Sequence, residues 1–502
     1  MEQYSFLTVT AALILVCVCS SKLSSRLNMP SMLLFLAVGM LAGSEGIGQI
    51  DFSNATAANL IGTTALVFIL FSGGFDTSWK SIRPILTPGG ILSSAGVLLT
   101  ATICGLFCYY LFSWAAPELE VSLPWSLLLG SIISSTDAAA VFSILRSKSV
   151  SLKGNLKSLL EFESGSNDPM AAFLTIFLLG IVQQESAGDT AGYLTYLQIF
   201  PSFLLKMTIG ITCGLVFGKA ATWLFNHLSL DYDGLYYVTA VAVALFSFAG
   251  TELCAGNGYM AVYVCAMVMG NHKFIYHNGI GRFYDGVSWL MQVILFSMLG
   301  LLCFPSKIWE VKYPGLAVAL FLMFIARPIA VFVCLESSRF SFRERLFVSW
   351  VGLRGGAPIM LATFPLMAGI GHAEMMFHAV FFIVITSVVL QGMTLMPLAR
   401  LLGLAAPLRT APRNPISFEN TGTINSSTMD FEIPPHSAFH QKRLAEIHLP
   451  QDALVLLIRR DSKFLVPRGD AILQSGDTLT IIAPPDTLEE LAPRFEEVQA
   501  EA

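Results

Sequence analysis

About thirteen long apolar runs, separated by short polar stretches, dominate this chain; they lie at about 4–21, 31–48, 58–75, 89–114, 124–146, 157–183, 199–226, 233–252, 255–272, 284–304, 313–335, 344–370 and 374–403. A helix needs roughly 20 apolar residues to cross the hydrocarbon of a bilayer, and these runs are of that order. Inside hydrocarbon every backbone N–H and C=O must be paired within the protein, which excludes open sheets and leaves a helical bundle. Composition agrees: the chain is 54% hydrophobic and 13% charged, where a soluble domain carries about 25% charged residues. The expected fold class is an all-α polytopic membrane protein with a small α+β cytoplasmic domain at its C-terminus.

Loop charge tests the run count, because cytoplasmic loops collect Lys and Arg. Alternate loops carry Lys22 and Arg26; Lys80 and Arg83; Arg146, Lys148, Lys153 and Lys157; Lys273 and Arg282; Arg339, Arg343 and Arg345; Arg400, Arg409 and Arg413. The intervening loops carry Glu45 and Asp51, Glu118 and Glu120, Glu185 and Asp189, Glu252, and Glu374; Lys307 and Lys312 break the pattern. A missed or extra helix would scramble this alternation, so the expectation is an odd number of spans, an external N-terminus and a cytoplasmic C-terminus. The first run, Tyr4 to Ser20, lacks a basic leader and a small-residue cleavage site and is expected to be retained as a helix. All nine cysteines lie in apolar runs without a C-x-x-C, which suits inert apolar filler rather than a metal site. The net charge of −5 gives no basis for a nucleic-acid partner.

From Pro407 to about Asp430 the composition turns to Pro, Asn, Ser and Thr, and residues 407–429 are read as a linker between a transmembrane domain (1–406) and a tail (430–502). Leu454–Ile458, Lys463–Val466 and Thr478–Ile482 read as strands, with turns at Arg460-Asp461 and Gly476-Asp477, and Leu488 to Val498 as a closing helix. So small a module is expected to dimerise or dock.

The polar groups inside the apolar runs carry the chemistry. Glu161-Phe-Glu-Ser-Gly-Ser-Asn-Asp-Pro169 opens the sixth run. One carboxylate at the bilayer centre costs about 2.5–3.5 kcal/mol on insertion scales, so such residues face a wet cavity and work there. On a helix Ser164 and Asp168 share one face, and Glu163 and Asn167 another. The fifth run contains Ser134-Ser-Thr-Asp137 and the twelfth Gly352-Leu-Arg-Gly-Gly-Ala-Pro358; both are expected to unwind. Breaks at corresponding places in two halves point to a transporter's binding site. Their offset of seven runs is odd, so the two run antiparallel, as in an inverted-topology repeat. Asp168 is the expected exchange group. Desolvation penalises its charged form, so it can hold a proton or a monovalent cation, but not both. Asp137 would supply a second carboxylate to the cation, and Thr136, Ser164 and Asn167 are further candidates for the site. Arg354 needs a counter-charge, and Glu163 is the expected structural partner, since its direction differs from that of Asp168 by about 140°. Arg327, followed by Pro328, is expected to snorkel to an interface. His227, His272 and His277 fall at loop edges and are assigned no role; His372 and His378, near the outer face, are read as inert rather than as pH sensors.

Ser-Ser-Thr-Asp-Ala-Ala-Ala-Val-Phe at 134–142, Glu-Ser-Gly-Ser-Asn-Asp-Pro-Met-Ala at 163–171 and Trp-Val-Gly-Leu-Arg-Gly-Gly-Ala-Pro at 350–358 resemble the signatures of the monovalent cation:proton antiporter family, in its NhaP-type potassium/proton branch. The resemblance spans about 5–403. It implies a homodimer with core and dimerisation domains, crossing broken helices, elevator-like alternating access, a bacterial inner membrane and no cofactor. An Asn-Asp pair, here Asn167-Asp168, goes in such families with electroneutral exchange. Many relatives carry an acidic residue where this chain has Ser72 before Gly73-Gly74, which argues against a second acidic relay there. Leu444 to Pro450, Pro467 to Asp470 and Gly476-Asp477 are similar to the C-terminal half of an RCK (TrkA-C) domain, which implies either a small regulatory ligand on the tail or, since no G-x-G-x-x-G cradle occurs there, a purely dimerising role.

Two rival classes fit less well. A ligand-gated cation channel would show a carbonyl-lined T-V-G-Y-G-like filter, and an intramembrane aspartyl protease built on Asp137 and Asp168 would show G-x-G-D; neither motif occurs.

Overall fold

Uninterrupted apolar runs form single long helices. In a computed structural model, which describes residues 2–27, 29–148, 150–187, 198–407, 427–434, 437, 439–460, 463–484, 487–488, 490–491 and 495, eight described helices are long and apolar enough to cross a membrane. They are α3 (Ala55–Phe75), α4 (Trp79–Ala115), α7 (Leu156–Ser186), α8 (Ile199–His227), α9 (Gly234–Leu253), α11 (His277–Leu301), α12 (Lys312–Cys334) and α15 (Ala373–Leu401). The other expected runs fall on shorter apolar segments. These are Thr8–Ser24 within α1 (Glu2–Leu27), α2 (Ser31–Ala42), α5 (Leu123–Ile132), α10 (Gly258–Gly270) and α14 (Gly356–Ala368). Helices α6 (Ala138–Ser147) and α13 (Phe342–Trp350) are the other halves of the fifth and twelfth runs.

Local chemistry sets these boundaries. The second run stops at Ala42 because the chain folds back there: the N–H groups of Gly48 and Ile50 donate to Leu41 and Ala42 carbonyls, each at 3.0 Å. A Cβ at Gly46 would stand 2.2 Å from the Leu41 oxygen, so only glycine fits. Asn54, Ser122 and Asn257 cap α3, α5 and α10 through their side-chain oxygens, and Ser341 with Glu344 forms a capping box on α13.

Elements seven runs apart resemble one another. Short α2 corresponds to short α10, and the α5–α6 break to the α13–α14 break. A π-helical turn at Leu92–Gly96 in α4 corresponds to one at Leu322–Ala326 in α12. Packing is reciprocal too. Gly39 and Gly300 bring α2 and α11 together, with added Cβ atoms 2.1 and 2.3 Å from the facing carbonyls; Gly270 does the same for α10 and α3, at 2.0 Å from Phe75 O. Small residues allow this backbone approach, on which helix association in lipid depends. An inverted repeat produces this pattern.

Contact grouping separates the chain into two units, Met1–Thr222 with Tyr237–His272 and Gly281–Arg409, and Trp223–Tyr236 with Lys273–Ile280 and Thr410–Ala502. The first also holds a small antiparallel pair, β1 (Val150–Leu152) with β2 (Ala405–Pro407). In the second, the tail forms an antiparallel sheet in the order β3-β6-β4-β5, from β3 (Ser427–Glu432), β4 (Leu454–Arg460), β5 (Lys463–Leu465) and β6 (Thr478–Ala483). The three expected strands are present. The fourth, β3, begins inside the stretch read as linker, because its charged alternation hides a buried Phe431. Residues 408–426 of that linker and most of the expected closing helix lie outside the described residues, although Leu488, Leu491 and Phe495 are buried in the tail's core. Gly476 takes a left-handed φ of 86° at the expected turn.

Candidate cation site

The fifth run breaks because its polar side chains take over the backbone groups. Ser134 Oγ donates to Ser131 O at 2.6 Å, and Asp137 Oδ1 accepts from the Ala140 N–H at 3.1 Å, capping α6. The twelfth run unwinds over Val351 to Gly355, where the two breaks cross: Asp137 N donates to Leu353 O at 2.8 Å. A Cβ at Gly355 would lie 2.0 Å from Asp137 Oδ2, so glycine is what lets the strands cross.

Four half-helix ends therefore meet inside the bundle, each with unpaired backbone groups and a partial charge. Arg354 Nη1 donates to Ser134 O and Ser135 O, at 2.6 and 2.7 Å, and neutralises the C-terminal end of α5. Gln391 Nε2 donates to Trp350 O at 2.8 Å at the end of α13. The Ala138 N–H at the start of α6 donates to Ser164 Oγ at 3.0 Å. Asp137 stands beside the starts of both α6 and α14, where negative charge is favoured.

Helix α7 supplies the rest. Ser135 Oγ hydrogen-bonds Asp168 Oδ1. Ser164 Oγ donates to Thr136 O at 2.9 Å, and Asn167 Nδ2 donates to Thr136 Oγ1 at 2.5 Å. Asn167 Oδ1 is buried without a hydrogen-bond partner. Pro169 cannot donate to Gly165, and its own carbonyl accepts from Asn257 Nδ2 at 2.9 Å. Asp168, Asp137, Thr136, Ser164 and Asn167 thus sit around one crossing. A cavity of about 930 Å³ reaches it, lined by Asp168, Asp137 and Ser164 and also by Ser21, Asp76 and Lys157. Ser21, Asp76 and Lys157 sit at helix ends whose loops carry the basic residues. The arrangement offers a carboxylate with wet access and several neutral oxygens, which suits reversible binding of a proton or a monovalent cation.

Two expectations are overturned. Glu163 does not pair with Arg354. Its Oε1 lies 2.5 Å from Arg327 Nη2, in ion-pair contact without the alignment of a hydrogen bond. Arg327 does not snorkel; it is 2% exposed and Glu163 1%. The reason is positional: Arg354 is consumed by the carbonyls of the α5 end, while Arg327 follows the π turn of α12. Gly352 leaves room there, its added Cβ falling 3.0 Å from Arg327 Nε.

Residues 11–401 match the protein family described as "Sodium/hydrogen exchanger, transmembrane". The chain belongs to that family. Residues 428–496 of this antiporter match the TrkA-C domain. It is 37% identical over 477 residues to the K(+)/H(+) antiporter NhaP of Alkalimonas amylolytica, covering 94% of this chain and 80% of that one. It is 36% identical over 504 residues to the K(+)/H(+) antiporter NhaP2 of Shewanella baltica, covering 99% and 84%. The sodium proton antiporter MjNhaP1 from Methanocaldococcus jannaschii, solved at pH 8, shares the fold with a TM-score of 0.67 at 24% identity, over 80% of this chain and 100% of that one. The chain is therefore a membrane-embedded cation:proton antiporter, not an enzyme, and the channel reading is not favoured. Sequence reasoning about the antiporter missed Ser135 as the partner of Asp168, although it lies in a quoted motif. It also missed Asn257, a lone amide at the head of an apolar run.

Proposed function

We propose that this antiporter exchanges cytoplasmic K+ (or Na+) for external protons, one for one, at Asp168. The observation that carries the reading is the cavity lined by Asp168 together with Asp137, Thr136 and Ser164. Ionised, Asp168 takes a dehydrated cation; neutral, it takes none. Asp137, Thr136, Ser164 and Asn167 complete or steady the shell, and Ser135 orients the carboxylate. Arg354 balances the half-helix end, so the site changes charge only through its cargo. In this reading the cavity, whose lining reaches the helix ends that carry the basic loops, opens to the cytoplasm, with the N-terminus outside and the tail on the cytoplasmic side of a bacterial inner membrane. A homodimer is part of this reading; α8 and α9, only 17% and 28% buried over their membrane windows, leave apolar faces that lipid or a second copy would cover. The tail, as a TrkA-C domain, would take a small regulatory ligand. Potassium is favoured over sodium by the names of the two NhaP relatives reported above.

One-for-one exchange responds to concentration gradients alone, at about 1.4 kcal/mol per tenfold ratio. The membrane potential, about 2.3 kcal/mol per charge per 100 mV, cancels. In proteoliposomes carrying a pH-sensitive dye, Asp168→Asn is expected to abolish exchange while the protein elutes as the wild type does. Exchange near the wild-type rate would place the site elsewhere, and a strong response to collapsing the potential would refute one-for-one exchange.

A further inference from the structure

The signature motifs do not supply the whole wall of the cavity. Helix α11 contributes Asp285, Ser288 and Gln292, spaced three and four apart and so on one face, and all three line the cavity that holds Asp137 and Asp168. Asp285 is exposed, while Ser288 and Gln292 are 7% and 8% exposed. Gln292 Nε2 donates to Ser288 Oγ at 3.3 Å, but Gln292 Oε1 is buried with no hydrogen-bond partner. An unpaired amide oxygen is costly at membrane depth, where a leucine or methionine would fill the same space without a polar atom to satisfy. Ser72 of α3 lines the same cavity and adds a neutral oxygen to those of Ser288 and Gln292.

We propose that Gln292 Oε1, steadied by Ser288, is a cation ligand on the α11 wall, where an entering monovalent cation exchanges hydration water for protein oxygen, and that it sets the preference between K+ and Na+. Its hydrogen bonding suits this. Ser288 holds the amide nitrogen, which leaves the oxygen as the free group. A neutral amide oxygen has a weaker field than a carboxylate, and a weak-field ligand favours the larger, more easily dehydrated ion. The proposal rests on Asp168 being the exchange group and the cavity being the cation's path.

The test is exchange in proteoliposomes over K+ and Na+ series, for wild type, Gln292→Leu, Gln292→Glu and Asp168→Asn. Loss of one neutral oxygen ligand is expected to raise KM for K+ about tenfold in Gln292→Leu, with a smaller rise for Na+. Gln292→Glu, which presents oxygen in either orientation but with a stronger field, is expected to shift the ratio of KM for Na+ to KM for K+ toward Na+ by about fivefold or more. A purely structural Gln292 would lower the yield or the maximal rate for both cations alike and leave that ratio unchanged, which overturns the assignment. If Gln292→Leu fails to fold, the ratio in Gln292→Glu decides alone. Inactive Asp168→Asn beside an unshifted ratio overturns only the Gln292 ligand, whereas active Asp168→Asn overturns the exchange site itself.

Discussion

Glu163→Gln is the substitution that most directly tests how this bundle is held together. The change keeps the shape of the side chain and removes its charge, leaving Arg327 buried at 2% exposure without an anion. At 2.5 Å and an effective dielectric constant near 20, Coulomb's law gives an attraction of about 6–7 kcal/mol. Desolvation of the two ions offsets several kcal/mol of this, so breaking the pair by removing one partner should cost about 3–5 kcal/mol. That is roughly a factor of 10² to 10³ or more in a folding equilibrium. The assay is a double-mutant cycle of Glu163→Gln and Arg327→Met, with thermal unfolding followed in detergent or lipid discs. Arg327→Met should restore most of the stability lost in Glu163→Gln, since a well-packed apolar pair replaces an ion pair at little cost. A parallel cycle of Glu163→Gln with Arg354→Met should show little direct coupling, because Arg354 is bonded to the Ser134 and Ser135 carbonyls. Rescue by Arg354→Met instead of Arg327→Met would refute the pairing and return Glu163 to the partner its sequence first suggested.

Other substitutions probe the site and its supports. Gly355→Ala puts a Cβ 2.0 Å from Asp137 Oδ2 and should cut exchange at least about tenfold by forcing the two breaks apart, as overpacking of about 1–3 kcal/mol does. Gly180→Ala, with nothing within 4 Å of the new Cβ, should leave exchange unchanged and gain about 0.5–1 kcal/mol of helix stability; equal losses in both would show that space at Gly355 is not what matters. In the tail, Arg460 Nε and Nη2 each donate at 2.8 Å to Asp477, itself 1% exposed. Arg460→Ala should destabilise the sheet by about 2–3 kcal/mol, read as faster limited proteolysis of the tail in the full chain, and cleavage at the wild-type rate would refute that estimate.

Much of the bundle was legible because hydrocarbon imposes its rule on the chain locally. Apolar length marked the helices, and glycine, serine and aspartate the two breaks, since each is a property of a short stretch and its solvent. The same holds for Asp168, whose carboxylate in an apolar run is conspicuous without any knowledge of its neighbours. The β3 strand was illegible for the converse reason: its burial depends on pairing with β6, some fifty residues on, and its own residues read as a polar linker.

Sequence alone therefore determined that this is a polytopic antiporter with two broken runs and a carboxylate between them. Only the tertiary structure decided who partners whom. Glu163 faces Arg327 rather than Arg354 because the crossing of the breaks delivers two carbonyls to Arg354 first. Gln292 enters the cavity because α11, distant in sequence, forms one of its walls. Charge and hydrogen-bond partners across a bundle are set by helix packing, and packing depends on contacts between residues hundreds of positions apart, which no local pattern records.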